Sequence, residues 1–495
     1  MSRRQTDGTE RPGALARRGR GQSPHSTETA MSRERREDQT RVKGRPGRKV
    51  DAERTDQAMK APAVPARATQ GAEASDWSWV EACVWTDRMV SALENGVKGG
   101  RWFSLIDKVW APATLEAAWE RVWANKGAAG VDRQSIERFE AREDLYLAEL
   151  ATALRNGTYR PQPIRRVDIP KGDGRTRPLG IPTVKDRIVQ TAVKMVLEPI
   201  FEAMFRPTSY GFRPKRGCKD ALREVAQLIA DGYTFVVDAD FESYFDSIPH
   251  DRLMHRVEER VSDGRILALL RGWLEQDIMQ DLQRWTPTQG TPQGAVISPL
   301  LANIYLHPLD VRMAACGYRM VRYADDFVVL CKSREHAEAA LAEIWAWVTD
   351  NGLRLHPNKT HVGDCRQIGE GFEFLGYRFE AGRRFVRKKS LNRLKDNIRA
   401  RTRRTCGQSL ARIIDSLNPM LRGWFAYFKH AHPRTFIALD KFIRRRLRSV
   451  LLKQTKKRSG FGLSRATHQR WPNAFFAEAG LLALHTAWLS ARHSR

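Results

Sequence analysis

The first 75 residues contain no aromatic side chain, no Ile and a single Leu, and the first aromatic ring in the chain is that of Trp77. A segment so poor in large apolar groups cannot bury a core, so residues 1–75 are expected to be a disordered basic arm, with Met31 inside it as an alternative start. Cysteine is also scarce. The six residues stand at 83, 218, 316, 331, 365 and 406, none within four positions of another, which excludes a CxxC zinc knuckle and predicts reduced thiols in an intracellular protein. No run approaches the roughly 18 apolar residues of a membrane-spanning helix. The first thirty positions lack a secretory apolar stretch, and Glu34, Glu37 and Asp38 speak against an organellar transit peptide, so a cytoplasmic location and no membrane partner are expected. There is no GxxxxGK[ST] element, which excludes a Walker-type NTPase, and no internal repeat of 20 to 50 residues, which excludes a solenoid.

Acidic residues are in short supply: 57 Asp and Glu face 85 Lys and Arg over 495 residues, a net charge of +28 that selects polyanionic partners, nucleic acid first. The length suits two to four domains. The surplus is uneven. Residues 1–75 carry +7, residues 381–460 carry 24 basic against 3 acidic groups, and the whole of 76–380 sums to −3. Within that neutral body, residues 155–219 form a local basic stretch with 15 basic and 5 acidic groups. In the C-terminal stretch Trp424, Phe425, Tyr427 and Phe428 interleave with arginines, a pattern that suits base stacking and phosphate contact more than a plain solvated face.

Apolar residues at helical spacing begin after Trp77. Leu115, Trp119, Val122 and Trp123 precede the breaker Gly127-Ala128-Ala129-Gly130 and predict a helical N-terminal region. Thr234-Phe235-Val236-Val237 reads as a buried strand running into Asp238-Ala239-Asp240, and Ser247-Ile248-Pro249 as the cap and first turn of a helix through Leu253 and Val257. Gly290 to Gly294 is a loop, and Ile297, Leu300, Leu301, Ile304 and Tyr305 predict the helix after it. Met320 to Tyr323 and Phe327 to Leu330 are two short strands joined through Ala324, Asp325 and Asp326, a hairpin with carboxylates at its tip. Adjacent aspartates in a tight turn are common by themselves. A second strand end carrying Asp240 changes the reading, because three carboxylates in one small volume repel unless divalent cations neutralise them. Such a cluster suits a two-Mg²⁺ site for in-line displacement at phosphorus, one ion at a primer 3′-hydroxyl and the other at a triphosphate.

Five blocks then occur in order: Arg177-Pro178-Leu179-Gly180-Ile181-Pro182, Ser209-Tyr210-Gly211-Phe212-Arg213-Pro214, Asp240 to Asp246, Thr291-Pro292-Gln293-Gly294, and Tyr323-Ala324-Asp325-Asp326. In that order they resemble a reverse transcriptase, and more closely the bacterial group II intron reverse transcriptases, or maturases, over residues 105–490. The resemblance implies an α/β right-hand polymerase, with fingers and palm built around an antiparallel sheet and an α-helical thumb. It implies these boundaries: a helical extension of the fingers at 76–150, fingers and palm at 151–380, a thumb and maturase domain at 381–470, and a tail at 471–495. Asp240, Asp325 and Asp326 would be the metal-binding carboxylates, with the backbone carbonyl of Phe241 as a further ligand. Phe245 matches the steric gate that rejects a 2′-hydroxyl, and Gln293 and Gly294 match the loop beside the nascent pair. Lys171 and Arg177 would face the incoming triphosphate, Lys359 would protonate the pyrophosphate leaving group, and Gly376 matches the primer-grip turn. Through Leu417-Asn418-Pro419, Gly423-Trp424-Phe425 and the basic helix containing Arg444, Arg445 and Arg446, residues 391–470 resemble the maturase domain. Trp424 and the three arginines would there contact primer and template or intron RNA.

The partners so implied are group II intron RNA as a ribonucleoprotein, an RNA template, a DNA primer and target DNA, and dNTPs. The resemblance also admits a homodimer and association with the nucleoid. The splicing chemistry would stay with the RNA, whose active fold the protein stabilises. Phe241-Glu242 stands where the family has a small or basic pair, and Ala295 where it has a second glycine; neither removes a catalytic group. No Cys/His cluster follows residue 470, so the chain resembles members lacking the HNH endonuclease, whose primer would come from another source such as a replication fork. The competing readings are an RNA-binding splicing factor with a decayed polymerase site, disfavoured by the intact aspartates, and a domesticated reverse transcriptase in phage defence or CRISPR spacer uptake, disfavoured by the maturase-like segment.

Overall fold

The computed structural model describes residues 77–170, 176–281, 283–455 and 464–493; the expected arm at 1–75, Met31 and Lys171 lie outside the described residues. The described residues fall in one compact unit, Ala66–Arg495. Its strands are β1 (Ile164–Pro170), β2 (Thr176–Ile181), β3 (Phe235–Ala239), β4 (Ile278–Gln280), β5 (Gln283–Trp285), β6 (Arg319–Tyr323), β7 (Asp326–Cys331), β8 (His361–Asp364), β9 (Phe372–Phe374), β10 (Tyr377–Glu380) and β11 (Arg383–Val386). They make three sheets, in the orders β2-β1-β4-β5, β6-β7-β3-β8 and β11-β10-β9. The second sheet is the palm and is antiparallel throughout. The first carries the fingers, and one of its pairs, β1 with β4, is parallel, a departure from an all-antiparallel expectation.

The palm strands are apolar on both faces because both faces are covered. Val237, Ala239, Phe327, Val329 and Cys331 pack into one core with the N-terminal helices, while Val236, Val328 and Leu330 pack into a second core shared with the C-terminal helices. A strand buried on both sides reads as a continuous apolar run, which is how these segments look in sequence. The helices Val184–Glu202 and Ser298–Ala315 bury residues around most of their circumference, as central helices do. The first is capped by Thr183, whose hydroxyl accepts from the Asp186 amide at 3.1 Å.

The helix predicted around Leu115 is Pro112–Asn125, preceded by Asp87–Asn95 and Ile106–Trp110 and ending just before the predicted breaker; Leu115, Trp119 and Val122 are buried in it, but Trp123 points outward and is 46% exposed. Ser247 does not cap the helix that follows. It ends a short turn of helix, Tyr244–Ser247, and Pro249 takes the cap position of His250–Glu258, because the fixed φ of proline suits the residue that turns into a helix. From Lys388 on the regular elements among the described residues are all helices: Lys388–Arg401, Leu410–Phe428 and Pro433–Gln454 form the thumb, with a tail including Leu484–His493 folded against it. The cysteines are all unpaired.

Candidate active site

The register of the palm sheet brings the two strand ends together. Ala239 lies opposite Phe327 and Asp238 opposite Val328, so the next step of the ladder carries Asp240 level with Asp326. Residues two apart on a strand share a face, which puts Asp238 beside Asp240 on the side of the thumb. Asp325 projects from the turn between β6 and β7, where Ala324 adopts φ +60°. The electrostatics record this crowding. Burial first, then the charges of Asp238, Asp325 and Asp240, push the Asp326 carboxyl up to about 7. Burial also raises Asp325, with Asp240 adding to the rise and Arg177 and Arg322 opposing it. Asp238 is raised to about 6, chiefly by burial, with the His361 side chain pulling the other way.

Lys359 forms an ion pair with Asp240. Its loop is tied to the same strand end, since the His356 amide donates to the Asp240 carbonyl at 2.7 Å and the Glu242 amide to the Arg354 carbonyl at 2.9 Å. These two bonds engage residues on either side of Phe241, so the Phe241 carbonyl takes no part in that bridge.

A second arrangement links fingers to palm. Arg177, on β2, donates through Nε to Gln293 Oε1 at 2.8 Å, and Gln293 Nε2 donates to both carboxylate oxygens of Asp246 at 3.2 and 3.1 Å. The Gly180 amide donates to the Gln293 carbonyl at 2.7 Å, and the Thr291 amide to the Phe245 carbonyl at 2.6 Å. Gly294 sits at φ +113°, and a Cβ there would come within 2.4 Å of the Gly180 carbonyl oxygen, so the loop needs glycine on two counts. The Phe245 ring is half-buried and meets Tyr244 edge-on at 5.5 Å.

Leu375 and Gly376, at φ +47° and +83°, form the two-residue turn joining β9 to β10, the positive-φ geometry that fits hairpin twist. The Leu375 backbone amide opposes the rise at Asp326, and the Leu375 carbonyl accepts from the Tyr427 hydroxyl at 2.8 Å, so this turn faces both the acidic cluster and the thumb. On the thumb, the half-buried Trp424 ring packs against Phe428 at 4.8 Å and Phe436 at 6.3 Å, at the edge of the thumb core. Arg446 donates to the Thr402 hydroxyl at 3.1 Å and carbonyl at 2.6 Å. Arg444 and Arg445 instead line a groove of about 600 Å³ together with Lys395, Lys441 and His468. Sequence reasoning missed Asp238, Asp246 and Arg322 as members of the site. Asp238 could have been found from its two-residue offset from Asp240, whereas the partners of Asp246 and Arg322 come from distant segments.

Among the described residues no three carboxylate, imidazole or thiolate groups form a ready-made metal cage. The donor set still fits a divalent cation such as Mg²⁺, which takes one or two carboxylates and leaves its other positions to water and substrate phosphate. Carboxylates held above their ordinary range by burial and mutual repulsion are the chemistry expected where a cation belongs.

A palm sheet with carboxylates at two adjoining strand ends, a fingers sheet leaning on it through Gln293 and a helical thumb define a template-directed nucleic-acid polymerase. Residues 169–379 match the reverse transcriptase (RNA-dependent DNA polymerase) family, and residues 391–471 match the group II intron maturase-specific domain. The chain is 35% identical over 329 residues to protein YkfC of Escherichia coli K12, covering 58% of this chain and 84% of that protein. It is 36% identical over 202 residues to the group II intron-encoded protein LtrA of Lactococcus lactis subsp. cremoris, covering 40% of this chain and 33% of LtrA. A solved structure titled partial Cas6-RT-Cas1–Cas2 complex is similar over 50% of this chain and 42% of that one, at 25% identity and a TM-score of 0.33. The chain belongs to the group II intron reverse transcriptase/maturase family.

Proposed function

We propose that the chain catalyses RNA-templated DNA synthesis at the Asp240, Asp325 and Asp326 cluster with two Mg²⁺ ions, and that it binds its parent group II intron RNA to assist splicing and retrohoming. The observation that carries this reading is the β3–β7 register, which sets Asp240 level with Asp326. When bound between these carboxylates and the Phe241 carbonyl, divalent ions would supply charge neutralisation and an activated primer hydroxyl. Everything else falls to the chain. Arg177 offers a cation at the mouth of the site for triphosphate oxygens, and its bond to Gln293 couples that contact to the loop that would lie under the nascent pair. The Phe245 ring, pinned through its carbonyl to the same loop, would pack against the sugar and reject a 2′-hydroxyl. Lys359, paired with Asp240, would hold a proton within the site for the departing pyrophosphate.

The thumb groove with Arg444 and Arg445 supplies fixed positive charge for an RNA backbone read by shape. We assign fingers and palm to 151–380 and the thumb and maturase domain to 381–470, although residue 151 lies within the helix Glu143–Asn156 and the second boundary falls between the paired strands β10 and β11. Among the described residues no helix is long and apolar enough to cross a membrane, and we assign the protein to the cytoplasm and nucleoid, where intron RNA and target DNA meet. The test is primer extension on an RNA template with dNTPs and Mg²⁺, comparing the wild type with Asp325→Ala plus Asp326→Ala. Extension by the wild type should vanish in the double variant. A folded wild type that extends no primer would leave the chain as an RNA-binding splicing factor.

A further inference from the structure

The reaction as described leaves unused a set of polar side chains buried directly behind the catalytic turn. Arg322, the residue before Tyr323 on β6, is fully buried. Its guanidinium forks onto Asp310 of the Ser298–Ala315 helix, Nε to Oδ1 at 2.7 Å and Nη2 to Oδ2 at 2.5 Å. That fork alone would satisfy a structural ion pair. The remaining nitrogen, Nη1, turns the other way and donates to the Ala324 carbonyl at 2.9 Å and to Asn303 Oδ1 at 2.9 Å. Asn303 lies two helical turns before Asp310, and its Nδ2 donates to the Gly211 carbonyl at 2.8 Å. The backbone of Arg322 is held by the same loop: its amide donates to the Thr208 carbonyl at 3.0 Å, and its carbonyl accepts from the Tyr210 amide at 2.8 Å.

Two strained features converge on this point. Ala324 stands at φ +60°, a region that a residue with a Cβ occupies at a cost and keeps only when its surroundings impose it. Gly211 presses so close that a Cβ on it would lie 2.2 Å from the Ala324 amide nitrogen. The turn that carries Asp325 is therefore pulled from beneath by Arg322 and stopped from above by Gly211, and Asn303 joins the two. A core ion pair alone would need neither the bond to the Ala324 carbonyl nor the link to Gly211.

We propose that Asp310, Arg322 and Asn303 form a clamp of positioning residues that holds Ala324 in its left-handed conformation and so sets the direction in which Asp325 leaves the turn. The clamp touches no substrate; it acts through the backbone of the turn. It rests on the polymerase reading only for its consequence in rate, not for its geometry.

The test uses the full chain and two substitutions, Arg322→Lys, which keeps a charge for Asp310 but loses the fork, and Asn303→Ser, which keeps the ion pair and cuts the link to Gly211. Hydrogen exchange read at single amides is the first measurement, and single-turnover primer extension across a dNTP series is the second. Exchange at Ala324, Asp325 and Asp326 should become at least tenfold faster in both variants while Val328 to Leu330 stay as protected as in the wild type. The incorporation rate at saturating dNTP should fall at least tenfold, with the apparent dNTP affinity changed by less than threefold. Variants that fold with wild-type exchange at the turn and wild-type rate would overturn the clamp. So would loss of cooperative folding in both, since the network would then be holding the palm together and not the turn. A wild type that extends no primer would defeat the polymerase reading, and the exchange data would still decide the clamp by itself.

Discussion

Asp326 stands under two opposing influences, the buried acidic cluster that raises its carboxyl and the Leu375 backbone amide of the β9–β10 turn that lowers it. Its position has a consequence for stability that can be measured without activity. The folded-state pKa of about 7 lies above the unfolded value near 3.9, so the folded chain holds the proton more tightly, and the resulting stabilisation is complete below about pH 4 and lost as pH rises through about 7. In EDTA, the stability of the wild type relative to Asp326→Asn should therefore decline between pH 4 and pH 8, by up to about 4 kcal/mol. Mg²⁺ should flatten the decline by supplying the missing counter-charge. Denaturant unfolding at several pH values gives the difference directly, and a flat difference in EDTA would mean that Asp326 titrates as an ordinary surface carboxylate. The aspartates themselves were legible in sequence, since carboxylates at the ends of apolar strands stand out. The rise in Asp326 was not, because it comes first from burial and then from neighbouring carboxylates, Asp238 and Asp240 among them, that a strand pairing not specified by sequence brings together.

At the scale of elements, the loop from Gly290 to Gly294 is the joint between fingers and palm. It hangs on backbone bonds to Ile248, Phe245 and Gly180, and on the Arg177–Gln293–Asp246 relay. Gly294→Ala forces a Cβ into the Gly180 carbonyl and a left-handed φ onto alanine. The substitution should cost about 1–3 kcal/mol of stability and lower the incorporation rate at least tenfold, because Gln293 moves with the backbone. Thermal unfolding together with single-turnover kinetics checks both; a variant with wild-type rate would show that the loop can shift without disturbing the site. Periodicity located most of these elements to within a residue or two. It placed Trp123 on the buried stripe, where the structure turns it outward, because a helix pattern does not say how wide the covering neighbours are. It took Ser247 as the cap, where the structure uses Pro249, because the short Tyr244–Ser247 turn that ends at Ser247 leaves no periodic trace.

For the molecule as a whole, the charge surplus is concentrated in the thumb region, and the arginines there divide into two kinds. Arg446 is bonded to Thr402, and Arg448, which also borders the groove, to the Trp471 carbonyl at 2.9 Å and to Asn473 Oδ1 at 2.9 Å, so they hold helices together. Arg444 and Arg445 face the groove. Replacing those two by alanine should weaken RNA binding and reduce the dependence of log K on log salt by about one to two units, as the loss of one or two phosphate contacts would. Primer extension at saturating template should be much less affected. Binding measured from 50 to 300 mM salt separates this outcome from an unchanged slope, which would assign the groove to something other than a phosphate backbone. What the sequence by itself determined is the set of ingredients: the basic surplus, the acidic strand ends, the glycine-bearing loops, and the five ordered blocks that mark the family. These are local or additive properties, and each survives without knowledge of the fold. Tertiary structure alone decided which arginines line the thumb groove and which aromatic rings, such as Trp424, pack against the core. It alone joined Arg322 to Asp310, Asn303 and Gly211, because those contacts depend on segments brought together by the packing of helices on the palm sheet.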